Sequence, residues 1–444
     1  MTVQSHPVAA RRAAFGSFVG TTIEWYDFYV YATAASLVLG ELFFPADTDR
    51  LTGVMASFAI FAVGFFARPL GGVVFGHFGD RVGRKAALVT TLLMMGSVTF
   101  AVGLLPTYSA IGVTAPILLV VFRFVQGLAV GGEWGGAALM AVEHAPAARK
   151  TFYGCFPQIG NSVGALLATG AFSLVSTLDD DALLSWGWRL PFLASAVLIV
   201  VGLVIRLRVE ESPVFVAMRD EHARRQPAEL PVKAALRTSM RAVLLGIGAL
   251  PVAVGGYYIV TTFLLAYATG PEIGVSETTV LNALTAAAFL EVVATLVTSW
   301  LGDRVGPRRV VIGGLVAVAL LAGPQFLVMP TQNTALIVTM ILVMRIGMSG
   351  TYGPLPAILS AMFRPEVRYT GISLSYQVAG AIFGGLSPLV ATALLNAYGG
   401  PLPVVGLLVL MCLVAIVCTV LAPQLADSPA AGTGAEPAPR PGVA

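Results

Sequence analysis

The sequence predicts an all-α membrane protein in which twelve transmembrane helices form two pseudo-symmetric six-helix bundles. Three observations predict this. Hydrophobic residues make up 57% of the 444-residue chain and charged residues only 11%, an apolar share above that of soluble domains. About twelve apolar runs reach the roughly 20 residues that a membrane-crossing helix needs. Between two of them lies Gly76-His77-Phe78-Gly79-Asp80-Arg81-Val82-Gly83-Arg84-Lys85, and a near copy, Gly302-Asp303-Arg304-Val305-Gly306-Pro307-Arg308-Arg309, recurs half a chain later. Such a repeat points to a duplicated bundle of the kind secondary transporters use.

The first span, 14–40, follows Arg11 and Arg12 and contains Glu24 and Asp27. Its length, those charges and the lack of an Ala-x-Ala site make it a retained helix rather than a cleaved signal peptide. The second span, 53–75, leads into the basic loop of Arg81, Arg84 and Lys85, and the third is 86–106. The fourth, 113–143, carries Arg123 and is followed by Arg149 and Lys150. The fifth, 152–178, carries Gln158 and Asn161, and the sixth, 189–207, runs into a basic group from Arg206 to Arg241. The six spans of the second half are 242–268, 276–300, 310–330, 335–362, 371–397 and 402–422. Arg345 aligns there with Arg123 and Gln377 with Gln158; polar residues kept in step are what duplication produces.

The domains are therefore 1–207 and 242–422, joined by 208–241. That segment is charged, carries Pro213, Pro227 and Pro231, and reads as a cytoplasmic linker with short surface helices. The tail, 423–444, is Pro, Ala and Gly with hardly any charge and is expected to be disordered.

Net charge is only +3, but the basic residues occupy alternate loops. The intervening loops hold Asp47, Asp49, Asp179, Asp180, Asp181, Glu272 and Glu277, with Arg50 and Arg189 as the main exceptions. Positive loops face the cytoplasm, so both termini are expected there. A monomer in the lipid bilayer is expected, with no nucleic-acid partner. Cys155, Cys412 and Cys418 fall within spans and read as small core residues, neither a disulfide framework nor a metal site.

Charges inside spans are expensive, roughly 2.5 to 3.5 kcal/mol each on insertion scales, and default to functional candidates. Glu24 and Asp27 are spaced i, i+3, and Tyr31 continues their face. Arg123, Gln126, Gly127, Val130 and Trp134 share a face of the fourth span. A carboxylate in a polar cavity takes up a proton and a nearby arginine lowers its affinity for it, so Glu24, Asp27 and Arg123 are candidates for proton coupling; the bland alternative is a static buried ion pair. Arg68 and Glu133, at roughly similar depths of about 12 to 15 Å, read as a structural pair.

Arg345 suits a substrate carboxylate, unless Glu291 in the eighth span pairs with it and makes it structural. Tyr31, Gln126, Gln158, Asn161, Tyr257, Tyr258, Tyr352 and Gln377, with Arg123, are further candidates for substrate contacts, or else for bonds between helices.

The repeated loops offer a second kind of site. Gly83 and Gly306 permit a turn, while Asp80 and Asp303 can cap a helix N-terminus and hold a neighbouring arginine. Asp80, Arg81, Arg84, Glu143, Asp303 and Arg304 therefore read as a cytoplasmic gate between the halves; topogenic charge is the alternative. Ser299 replaces Gly76 and Pro307 replaces Arg84 in the second copy, which predicts a weaker second latch. Gly160-Asn161-Ser162-Val163-Gly164 fits a hydrolase nucleophile pattern but lies within an apolar helix, where close packing explains it better. No sequence for binding a catalytic metal or a nucleotide phosphate is present, so no cofactor is expected.

The Gly76 to Lys85 loop resembles the loop signature of the major facilitator superfamily, and Arg123-Phe124-Val125-Gln126-Gly127 is similar to its fourth-helix motif. More narrowly, Ile23-Glu24-Trp25-Tyr26-Asp27-Phe28, Arg68-Pro69-Leu70-Gly71-Gly72, Gly131-Gly132-Glu133-Trp134-Gly135-Gly136, Trp188-Arg189-Leu190-Pro191-Phe192, Glu211-Ser212-Pro213-Val214-Phe215 and Arg368-Tyr369-Thr370-Gly371 resemble the metabolite:proton symporter family. The resemblance implies the major facilitator fold, a bacterial inner membrane and carriage of compounds such as alpha-ketoglutarate, citrate, shikimate, proline or betaine. It also implies that helices one, four, seven and ten line a central cavity.

The expected activity is import of a small organic acid with protons. Symport of a zwitterionic osmolyte is the nearest alternative, and the missing C-terminal heptads disfavour it; proton-coupled export follows. An intramembrane enzyme using Glu24 and Asp27 as a metal-binding pair is the rival from another class.

Overall fold

The computed structural model describes residues 7–82, 84–131, 133–143, 145–208, 231–364 and 367–424, and the side chains among them outside 7–13, 73, 76–88, 133, 136, 140, 147 and 205–236. Among these residues there is no strand. The first half contains α1 (Pro7–Leu37), α2 (Arg50–Val82), α3 (Arg84–Leu104), α4 (Thr114–Val130, continued by Glu133–Glu143), α5 (Lys150–Gly154, then Phe156–Val175) and α6 (Arg189–Leu193, then Ser195–Arg208). The second contains α7 (Pro231–Ala249, continuing to Ala268), α8 (Glu277–Val305), α9 (Pro307–Leu327), α10 (Thr334–Tyr352, then Leu355–Met362), α11 (Arg368–Tyr398) and α12 (Leu402–Leu421). Nine of these are long and apolar enough to cross a membrane, and Val89–Leu104 of α3 and Thr114–Val130 of α4 are shorter apolar helices. The twelfth, α1, is less apolar because its inward face buries Thr21, Thr22, Glu24 and Asp27.

The two bundles repeat one packing scheme. In the first, α1 packs on α5, α2 on α4, and α3 on α4 and α6; in the second, α7 packs on α11, α8 on α10, and α9 on α10 and α12. The seam between them is made by α2 against α11 and α5 against α8, again a symmetric pair. Large apolar side chains such as Phe66, Val200, Phe289, Leu320 and Val417 face outward. In a bilayer this is favourable, because the surrounding tails are as apolar as the side chains themselves.

Hydrophobicity cannot pull such helices together, so backbone proximity does. A Cβ at Gly127 would run into the Gly64 carbonyl, and one at Gly131 into Arg68 and Gly72, which fixes the α2–α4 crossing. Gly160 and Gly164 do the same for α5 against α1: a Cβ at Gly160 would lie 2.6 Å from the Phe18 carbonyl oxygen and one at Gly164 2.8 Å from the Tyr26 nitrogen. The hydrolase-like pattern is thus a helix-packing surface.

One expectation needs adjusting. Asp80 and Asp303 lie in the last helical turns of α2 and α8 rather than in the loops, and the second reversal is made by Gly306 at φ 97°. The Pro231–Ala249 helix is broken at Ser239 (φ −137°, ψ 22°), so a short helix lies within the segment read as linker and the seventh span follows it; residues 209–230 and 425–444 lie outside the described residues. Wide π-helical turns interrupt α7 at Pro251–Gly256 and Ile259–Phe263, and α11 at Gly380–Gly384, a distortion frequent at functional sites.

Candidate functional site: a closed cavity between the halves

Deep in the first half, Arg123 of α4 is fully buried in a box of rings. Its guanidinium carbon lies 4.3 Å from the centre of Tyr31, 4.7 Å from Phe28 and 5.1 Å from Phe61. Desolvated contacts of this kind are worth ~2 kcal/mol. Nη1 of Arg123 donates to Gln126 Oε1 at 2.6 Å, and Gln126 Nε2 donates to the Thr99 hydroxyl of α3 at 2.5 Å.

Asp27 of α1 stands beside Thr99 and within the field of Arg123. It forms no direct ion pair with that arginine, and neither of its oxygens has a hydrogen-bond partner. A buried carboxylate left in this way is costly when ionised. One turn away, Glu24 is also buried. Arg68 of α2 stacks on Phe28, Phe65 and Trp25 at 4.1, 4.2 and 5.4 Å; the side chain of Glu133, its expected partner, lies outside the described residues.

The second cluster faces the seam. A cavity of about 20 Å³ is lined by Tyr29 and Thr33 of α1, Thr169 of α5, Tyr257 and Thr261 of α7, and Arg345 of α10. That is room for about one water. Arg345 Nη1 lies 3.2 Å from Glu291 Oε2, both side chains being almost fully buried. Tyr257 donates its hydroxyl to the same Glu291 oxygen at 3.3 Å and lays its ring 4.6 Å from the Arg345 guanidinium. Across the seam, Tyr29 donates to Asn161 Oδ1 at 3.0 Å and packs its ring 5.5 Å from Tyr257.

Contacts between the halves occur at both ends. At the basal end, where α1 begins and α8 turns into α9, Asp303 accepts the backbone N–H groups of Thr151 and Phe152 at 2.8 and 3.1 Å, capping the start of α5. Glu143 pairs with Arg368 at 3.8 Å. Farther in, Trp134 stacks on Tyr376 with ring centroids 3.6 Å apart and donates to Gln158 at 3.1 Å. Gln158 in turn donates to the Tyr352 carbonyl at 3.1 Å, and Gln377 donates to the Gly131 carbonyl at 2.9 Å. The aligned glutamines thus tie each half to the other in mirror fashion.

At the distal end Ser36 donates to the Thr262 carbonyl at 3.0 Å, and Ser173 to Asn282. Arg50 donates to the Ala266 carbonyl at 3.3 Å and the Thr269 hydroxyl at 3.0 Å, at the C-terminus of α7. Asp49 caps α2 just before it; hydrogen bonds from the Thr52 side chain and backbone hold this carboxyl below its usual range. Arg189 binds the carbonyls of Gly103 and Leu105 at the end of α3. The two exceptions to the charge pattern of the loops are therefore both cations at helix C-termini, where the macrodipole favours them.

Of the sequence-derived candidates, Tyr257 and Arg345 line the cavity, Tyr258 and Asn161 lie beside it, and Tyr31, Arg123 and Gln126 do not line it. Arg345 lies beside Glu291, the pairing that the sequence left open as an alternative. Gln158, Gln377 and the Tyr352 carbonyl belong to the seam, and Arg304 lies over Trp300 at 3.8 Å instead of holding Asp303. The side chains of Asp80, Arg81 and Arg84 lie outside the described residues. Tyr29, Thr33 and the Trp134–Tyr376 stack escaped the sequence reading; the tyrosine beside Asp27, two residues on, was the available signal.

Twelve helices among the described residues, in two like halves around a small polar centre, define a membrane carrier built from two repeats. The chain belongs to the major facilitator superfamily, and is a transporter rather than an enzyme. Residues 13–243 match the family model for sugar (and other) transporters and 247–442 that of the Major Facilitator Superfamily. Its relatives include the shikimate transporter of Escherichia coli, 43% identical over 88% of this chain and 89% of that one, and the inner membrane metabolite transport protein YhjE of the same organism, 40% identical over 88% and 90%. The proline/betaine transporter of Escherichia coli is 31% identical over 95% and 85%. The fold matches the partially occluded inward open xylose transporter XylE from E. coli with a TM-score of 0.70, at 16% identity over 94% of this chain and 98% of that one.

Proposed function

We propose that this carrier imports a small organic acid together with protons across a bacterial inner membrane, with the basal end and both termini in the cytoplasm. The observation that carries the reading is Arg345 on the wall of the closed central cavity, a guanidinium able to grip a carboxylate with two parallel charge-assisted bonds. Four threonines, Thr33, Thr169, Thr261 and Thr262, add hydroxyls to the same wall, which suits an acid that itself bears hydroxyl or keto groups. Relatives named for shikimate and for metabolites support the class. Proton coupling is assigned to Asp27, with Arg123 tuning it and Glu24 one turn away; the basal contacts of Asp303 and of Glu143 with Arg368 serve as the gate.

A second reading has one observation in its favour. Tyr29 and Tyr257 line the cavity with their rings 5.5 Å apart, and aromatic rings attract quaternary ammonium groups, so betaine is the alternative. The test is uptake by the purified protein in liposomes, using labelled alpha-ketoglutarate, citrate, shikimate, proline and betaine, with a pH gradient and with or without a protonophore. The expected result is protonophore-sensitive accumulation of one or more of the acids. Accumulation of betaine or proline alone would overturn the reading.

A further inference from the structure

We infer that Glu291 is a resident stand-in for the substrate's carboxylate, and that an acid reaches Arg345 only as Glu291 leaves it carrying a proton. The inference rests on the organic-acid reading and deepens it, adding a second proton-linked group in the half of the molecule opposite Asp27.

Several observations converge. Arg345 touches both partners of the exchange: it lies 3.2 Å from Glu291 Oε2 and lines the cavity, whereas Glu291 is not part of the lining. A ligand in the cavity therefore meets Arg345 and not Glu291. The grip of Glu291 is also incomplete. Oε2 accepts the Tyr257 hydroxyl and lies 3.2 Å from Arg345 Nη1 without hydrogen-bond geometry, and Oε1 has no hydrogen-bond partner, short of the bidentate pairing that makes such bonds strong.

The charge balance sets the rest. With Glu291 ionised the pair is neutral, in a site that excludes water. Adding a carboxylate would leave one uncompensated negative charge there, and an unpaired buried charge costs several kcal/mol. Taking one proton from water onto Glu291 restores neutrality: the Arg345–Glu291 ion pair breaks, an Arg345–substrate pair forms, and the protonated Glu291 gains a donor. The titratable groups around Glu291 are Arg345, Tyr257, Tyr29 and Tyr352. The tyrosines are neutral at working pH, so the arginine alone balances the carboxylate. Each carboxylate gripped by Arg345 therefore enters with one proton.

The test is calorimetric binding of shikimate, alpha-ketoglutarate and citrate to the full chain in detergent between pH 5.5 and 8.5, with proton uptake measured in buffers of different ionisation enthalpy. For the wild type, an acid should bind with uptake of about one proton at alkaline pH, and its affinity should fall about tenfold per pH unit there, the slope that one linked proton requires. Glu291→Gln should bind the acid at pH 8.5 as tightly as the wild type does at pH 5.5, with no proton uptake. Glu291→Asp, which keeps the charge and so guards against a folding defect in the first variant, should retain the slope.

If Glu291→Gln keeps the wild-type slope and Asp27→Asn loses it, the proposal is overturned while the organic-acid reading stands. If no acid binds at any pH, or only betaine binds, both fall together.

Discussion

Asp27 gathers more consequence than any other single residue of the first half. It is buried in a helix that packs on α3, α4 and α5, beside Thr99 and near Arg123, with neither oxygen hydrogen-bonded. Asparagine matches its size and removes its proton. In Asp27→Asn, accumulation driven by a pH gradient should fall at least tenfold while exchange of labelled for unlabelled substrate persists; full accumulation by the variant would take Asp27 out of the proton path. Charges such as Asp27, Arg123 and Arg345 were legible in the sequence because an ionisable group in an apolar run stands out by its cost. Tyr29 and Thr33 were not legible, since a tyrosine or threonine fits a membrane helix on any face and only the rotation of α1 decides which one meets the cavity. The pairing of Arg345 with Glu291 was visible only as one of two possibilities, because the register of α8 against α10 is set by packing and not by either helix alone.

Among the helices, α5 and α8 form the joint on which closure of the basal end depends. Asp303 satisfies two backbone N–H groups that begin α5 and places a negative charge at the positive end of its dipole. Hydrogen bonds to a charged group contribute about 1.5 to 3 kcal/mol, and ~1.4 kcal/mol is a tenfold shift in a two-state balance. Cys155, buried immediately behind these donors, reports on the joint. In a background with Cys412 and Cys418 replaced by serine, Asp303→Asn should speed maleimide labelling of Cys155 at least tenfold; an unchanged rate would reduce Asp303 to a topological marker. The spans themselves were legible from apolar length. Their interruptions were less so: the π-helical turns of α7 and α11 follow glycine-containing stretches, but the choice of a wide turn is made by the neighbouring helix.

For the whole molecule, the duplication read from Arg123 and Arg345, and from Gln158 and Gln377, reappears as two bundles with one packing scheme. What it could not convey is that the glutamines point across the seam, to the carbonyls of Tyr352 and Gly131. Each neutral bond contributes roughly 1 kcal/mol, so Gln158→Ala and Gln377→Ala should each favour the basal-open form by about fivefold, and the double variant by more. Spin-label distances across the basal end measure this, and equal distances in all variants would make the two ties irrelevant to gating.

The clamps at the two ends differ in one further respect. Arg50 is an exposed residue and its bond to Thr269 is exposed, although its bond to the Ala266 carbonyl is partly buried, whereas both bonds of the half-buried Asp303 cap are partly buried. Screening shortens the reach of exposed charges from about 10 Å at 0.1 M salt to about 3 Å at 1 M, and affects buried ones much less. Concentrated salt bathing the distal face therefore loosens one clamp and spares the other. Labels across that face should separate in 1 M sodium chloride but not in sucrose of equal osmolarity, and in Arg50→Met salt should change nothing. With the distal face outward, as proposed above, the ionic composition of the medium bathing it, independent of substrate and pH, thereby becomes an effector that sets how much of its time the carrier spends open on that side.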